Sequence, residues 1–259
     1  MSQVQQIETI VSHRIRALYL ISPKLAIYLL GYIFNLILYT QSLAHAGSCF
    51  FEETSIPKMP FRQVQIEIFN QKIASLPDSQ DAVFVGDSLV QFWPHDLMEK
   101  SVHSSRVFNF GIGLDRTENV LWRLHAPQLT KLRPKKVVIL IGANNLRTEN
   151  SACAIASGIE AVVERIGEVW PEASRILIQV LPQGERFLYR DEDRQQTNMI
   201  VKRHLQGATD VKILNVDNEI TCNFASSCEN YQQDRIHLNQ TGYEILSKLV
   251  ANIIRPTSR

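Results

Sequence analysis

The 259-residue chain has almost no net charge, with 27 lysines and arginines against 26 aspartates and glutamates for a formal +1 at pH 7. That balance excludes the basic track of a nucleic-acid binder and the polybasic face that holds a protein to anionic lipid. Cysteine is scarce, four residues in all. No second Cys pair and no His at ligand spacing accompanies them, so a structural metal site is excluded too. Internal repeats and low-complexity tracts are also missing, which removes solenoids and disordered arrays and leaves one ordinary core.

Long apolar runs are lacking except near the start. Residues 25–39 are apolar apart from Asn35 and fall short of the ~20 residues a spanning helix needs. His13, Arg14, Arg16 and Lys24 precede the run and Ala44-His45-Ala46 follows it. A positive flank, a short apolar stretch and an A-x-A site describe a secretory signal peptide cleaved after Ala46. An uncleaved anchor is the alternative, with residues 18–21 extending the span past Pro23, and a lipoprotein site at Cys49 is the weaker third. Each exports the rest of the chain, because the basic residues lie on the N-terminal side. The expected organisation is therefore 1–46 signal peptide or N-terminal membrane anchor, 47–60 linker and 61–259 folded domain, periplasmic or secreted.

Within that domain, Val64, Ile66, Ile68, Phe69, Ile73 and Leu76 give one helix a mixed apolar face. Apolar strands are then expected at residues 83–85, 107–110, 137–141, 176–181 and 211–216, separated by helical stretches, the clearest at 155–170 and 245–254. Such alternation predicts an α/β domain whose parallel sheet is covered on both faces.

The chemistry sits at strand ends. The run AVFVGDS, residues 82–88, reads as a buried strand followed by a turn that delivers the Ser88 hydroxyl at the strand's carboxyl end, where open α/β sheets bind ligands. Alone, Gly-Asp-Ser is an ordinary turn with a helix cap. The later run Asp234-Arg235-Ile236-His237 changes this, since a serine needs an imidazole to take its proton and a carboxylate to fix the imidazole's tautomer. Asp217 and Asp210 are further candidates for the acid, more distant from His237 in sequence. His95, His103, His125 and His204 read as surface or packing residues. Asn239 is placed to cap the last helix. Cys222 and Cys228 flank a short loop before Asp234, so a disulfide there would brace the loop bearing acid and base, two reduced thiols being the alternative. Cys49 and Cys153 have no evident partner and are assigned no role.

In order, the blocks GDS (86–88), NFGIG (109–113), GANN (142–145) and DRIH (234–237) resemble the SGNH or GDSL hydrolase superfamily. The longer runs NFGIGLDRTENVLWRL, GIEAVVERI and LPQGER are similar to the catalytic subunits of platelet-activating-factor acetylhydrolases, from about Phe61 to the C-terminus. The resemblance implies a three-layer α/β/α fold with a central, mostly parallel five-stranded sheet of flavodoxin-like type. It also implies Ser88 as nucleophile, Asp234 and His237 as its partners, and Asn144 as an oxyanion donor. Where these relatives carry a second glycine, in GIGGD, this chain has Leu114. The oxyanion hole would then be formed by the Ser88 N–H, the Leu114 N–H and the Asn144 amide, with strain at Leu114 if that position requires positive φ.

The expected reaction is two-step acyl transfer to water, needing no metal or organic cofactor. Leu89, Ala143 and Ile236 would wall a small acyl pocket, which suits short acyl groups such as acetyl. The ester would belong to a small molecule, lipid or glycan. Nucleic acid is excluded as a partner, and membrane contact is expected only through the N-terminal segment. An acyltransferase on the same residues and a non-catalytic binding module remain as alternatives.

Overall fold

The structure is a computed structural model that describes residues 53–254. The leader or anchor, its cleavage site and Cys49 lie outside the described residues.

Because side chains alternate across a strand, each apolar strand feeds two cores. Val83, Val85, Val137, Ile139 and Leu177 enter one cluster, while Ala82, Phe84, Val138, Leu140, Ile176 and Ile178 enter the other. The strands β1 (Ala82–Gly86), β2 (Val107–Gly111), β3 (Lys136–Leu140), β4 (Ser174–Ile178) and β5 (Val211–Leu214) form one parallel sheet in the order β2-β1-β3-β4-β5. The helices, in chain order, are α1 (Gln63–Ala74), α2 (Ser88–Gln91), α3 (His95–Val102), α4 (Thr117–Arg123), α5 (Ala143–Arg147), α6 (Ala152–Val169), α7 (Asp191–His204), α8 (Asp217–Ile220) and α9 (Gln240–Ile254). Residues of α3 and α9 pack in one cluster and those of α4, α6 and α7 in the other, so the domain is a three-layer α/β/α sandwich. Among the described residues no helix is long and apolar enough to cross a membrane.

Register places the functional loops. Gly86 pairs with Gly111 on one side and with Leu140 on the other. The three segments that follow, Asp87-Ser88, residues 112–115 and residues 141–145, therefore leave the sheet side by side. Gly142 makes the third exit, with φ 116, a conformation that a side chain would strain.

Three expectations shift. The segment read as linker is docked where it is described: Thr54 is buried, its hydroxyl donates to Ala154 O at 2.6 Å, and its own carbonyl accepts from Thr117 Oγ1 at 2.8 Å. The fifth strand ends at Leu214 rather than at residue 216, and the fourth ends at Ile178 rather than at residue 181. Beyond it the Asn198 side chain replaces the ladder, accepting from Val180 N at 2.9 Å and donating to Val180 O at 3.0 Å.

Candidate active site

Asp87 caps the helix that starts at Ser88, accepting from Leu89 N at 2.9 Å. Ser88 is the first residue of α2, so its N–H has no acceptor within the helix. The helix is pinned from two sides. Asn109 Nδ2 donates to Val90 O at 2.9 Å, and the Tyr243 hydroxyl of α9 donates to Leu89 O at 2.9 Å.

The D-x-x-H spacing lets one carboxylate do two jobs. Asp234 Oδ1 accepts the N–H groups of Ile236 at 2.9 Å and His237 at 3.0 Å, a tight turn that Arg235 permits by adopting φ 57. Asp234 Oδ2 is thereby aimed at His237 Nδ1, 2.6 Å away. The other imidazole nitrogen, Nε2, lies 2.8 Å from Ser88 Oγ. Partial burial raises the Asp234 pKa, but hydrogen bonds from the imidazole and the two backbone N–H groups, with the imidazole's charge, outweigh this and hold it below the ordinary carboxylate range. Asp210 and Asp217 do not approach the imidazole; they pair with Arg175 and Arg194. Asn239 caps α9, accepting from Gly242 N at 3.0 Å.

Ser88, His237 and Asp234 open into a cleft of about 470 Å³, which Leu89, Leu114, Ala143, Asn144 and Ile236 also line. Leu114 has φ 68 and is half exposed. The preceding N–H, of Gly113, is taken by Gln91 Oε1, whereas among the described residues the Leu114 N–H meets no acceptor. Asn144 Nδ2 donates to Asp115 O at 2.9 Å. A primary amide has two N–H groups, so this bond fixes the side chain and leaves one donor.

Several residues of the site carry no sequence signal of their own. Phe92 stands edge-on to His237, with ring centroids 5.4 Å apart; its place four residues after Ser88 is the one hint. Val64 and Ile68, read from sequence as part of one helix's mixed apolar face, line the cleft from α1. Beneath the cleft, Arg123 and Asp115 form a fully buried ion pair at 2.7 Å. Arg123 Nη2 also donates to Gly86 O at 2.8 Å, and Gln65 Nε2 to Asp115 Oδ1 at 2.8 Å. Cys222 and Cys228 form a disulfide with Cα atoms 5.5 Å apart. Cys153, given no role from sequence, is disulfide-bonded as well. Among the described residues no group of three His, Cys, Asp or Glu side chains gathers where a metal ion would be held.

Comparison with known proteins agrees with this architecture. Residues 79–245 match the model of the GDSL-like lipase/acylhydrolase family. The chain is 34% identical over 176 residues to platelet-activating factor acetylhydrolase IB subunit alpha2 of Homo sapiens, covering 67% of this chain and 76% of that one. It is 29% identical over 191 residues to subunit alpha1 of Rattus norvegicus, covering 73% and 82%. Among solved structures, the lipase/acylhydrolase from Enterococcus faecalis superposes with a TM-score of 0.56 at 23% identity, covering 70% of this chain and 100% of that one. A GDSL-like lipase from Bacteroides thetaiotaomicron does so with a TM-score of 0.58 at 19% identity, covering 73% and 96%. At such identities the structural likeness concerns the fold, while the family match spans most of the domain. The chain belongs to the GDSL-like lipase/acylhydrolase family, whose members hydrolyse ester bonds.

Proposed function

We propose that this protein is an exported serine esterase that removes short acyl groups, acetyl among them, through an acyl-enzyme on Ser88. The observation that carries the reading is the continuous relay Ser88 Oγ, His237, Asp234, with contacts of 2.8 and 2.6 Å. His237 Nε2 takes the Ser88 proton as Oγ attacks the ester carbonyl, then returns it to the departing alcohol. Water repeats the cycle on the acyl-enzyme. Negative charge on the tetrahedral oxygen would meet the N–H groups of Ser88 and Leu114 and the second N–H of Asn144, each such donor contributing about 3–4 kcal/mol to the transition state.

Short acyl groups are favoured because the buried Leu89 and Ala143 and the half-buried Ile236 crowd the cleft beside the nucleophile. The acetylhydrolase relatives point the same way. Export is supported by the oxidised state of Cys153, Cys222 and Cys228, since disulfides persist in oxidising compartments. The test is turnover of p-nitrophenyl acetate, butyrate and octanoate by the full chain. Acetate should give the highest kcat/KM and octanoate the lowest, with all three lost in Ser88→Ala. A preference for octanoate would contradict the small pocket, and undiminished turnover by Ser88→Ala would contradict the nucleophile.

A further inference from the structure

Arg147 lines the same cleft as Ser88 and is exposed. It stands three residues after Asn144 on α5, and residues at that spacing share one helix face. Its guanidinium is therefore presented on the side of the site where Asn144 lies. A basic residue in the last turn of a helix commonly serves the helix, by meeting its terminal carbonyls. Here that role is already filled from elsewhere. Arg190 Nη1 donates to Leu146 O at 2.8 Å, and the Thr148 hydroxyl donates to Asn145 O at 3.0 Å.

Nor is Arg147 half of an ion pair. Arg116, Arg123 and Arg190 are paired with Glu118, Asp115 and Asp193, while among the described residues Arg147 has no carboxylate and no hydrogen-bond acceptor. Of the other ionisable groups lining the cleft, Asp234 and His237 are engaged with each other. On the α1 side, Val64 and Ile68 with Leu114 make a mostly apolar wall, in which the amide of Gln65 is engaged with Asp115 Oδ1 at 2.8 Å. The cleft thus holds one uncommitted, permanently charged cation beside an apolar surface.

We infer that Arg147 is a specificity residue that recognises an anionic group, carboxylate or phosphate, on the alcohol portion of the ester substrate. This rests on the esterase reading of the site, and the reaction is unchanged: Ser88 Oγ adds to the acyl carbon, the anionic alcohol departs with the proton that His237 took from Ser88, and water then releases the acyl group from the serine.

The test uses a matched pair of esters, 4-acetoxybenzoate and its methyl ester, which differ in one negative charge and share the acyl group. Their ratio of kcat/KM is measured for the full-length protein and for Arg147→Gln and Arg147→Glu. Comparing ratios between proteins cancels the different leaving abilities of the two phenols. The anionic-to-neutral ratio should fall about three- to fivefold in Arg147→Gln at low salt and further in Arg147→Glu, mostly through KM. Methyl-ester turnover should stay at the wild-type level, and high salt should erase the difference. An unchanged ratio in both variants would overturn the inference. So would a parallel loss of both substrates, because Arg147 would then serve the oxyanion or the fold. If wild type cleaved neither ester, the esterase reading itself would fall, and this inference with it.

Discussion

Leu114 occupies a backbone conformation, φ 68, that costs a non-glycine residue about 1–2 kcal/mol. Among the described residues its N–H meets no acceptor while that of Gly113 does, so the strain coincides with the donor proposed for the oxyanion. Leu114→Gly should raise thermal stability slightly, relief of strain outweighing the extra chain entropy, and should leave kcat within a few-fold; a clear fall in melting temperature would show that the leucine side chain earns its place by packing. Proline is a poor probe here, because its ring fixes φ near −65° and would rebuild the turn as well as delete the donor. Asn144→Ala removes a side-chain donor without touching the backbone, and kcat should fall by about 10²–10³. Asp87 gives a pH prediction. Burial pushes its pKa up, the Leu89 N–H opposes this, Asp115 adds to it and Arg123 opposes it, with a net value of about 7. The folded carboxyl then keeps a proton that the unfolded chain releases, so its contribution is fully favourable below the ordinary value of 3.8 and is lost as pH rises towards about 7. Asp87→Asn retains a capping side chain, and its melting temperature should depend less on pH between 5 and 8 than that of wild type.

Two elements around the site are held by long-range ties. Arg123 on α4 joins the end of β1, through Gly86 O, to the loop after β2, through Asp115; Gln65 adds α1 to the same carboxylate. Burial disfavours both charges and the pairing offsets it only in part, so removing one partner strands the other. Arg123→Met should cost about 3–5 kcal/mol in urea denaturation, and a loss under 1 kcal/mol would mean that the pair is dispensable. The disulfide Cys222–Cys228 closes a short loop, worth about 2 kcal/mol by chain entropy. Asn230 Nδ2 donates to Cys222 Sγ at 3.4 Å, and the Asp234 turn itself reaches the bridged loop through Arg235 Nη1, 3.5 Å from Cys228 O. The double Cys→Ser variant should therefore lose stability while keeping kcat within a few-fold. The central strands β1 and β3 were legible because buried apolar runs of four or five residues stand between polar turns. The end of β4 was not, since Val180 and Leu181 continue the apolar run while the Val180 backbone is satisfied by Asn198, a side chain distant in sequence.

At the scale of the molecule, parallel pairing of β1 with β2 and β3 gathers three loops that are far apart in the chain. Ser88, Asp234 and His237 could be read from sequence because local geometry ties their chemistry to a strand-end turn and to a D-x-x-H turn. The clamp Arg123–Asp115, the ring of Phe92 on the imidazole and the α1 wall of the cleft could not, because each depends on tertiary contacts without a spacing rule. Linking the Cys153 disulfide to its chain position likewise needs a distance that no local pattern supplies. The central claim is that these loops assemble one activated serine. Incubation of the full chain with a fluorophosphonate, followed by peptide mass spectrometry, tests it most directly. One adduct should form, on Ser88, and should be absent in Ser88→Ala and strongly slowed in His237→Ala; an adduct on another residue, or equal labelling of Ser88→Ala, would contradict the account.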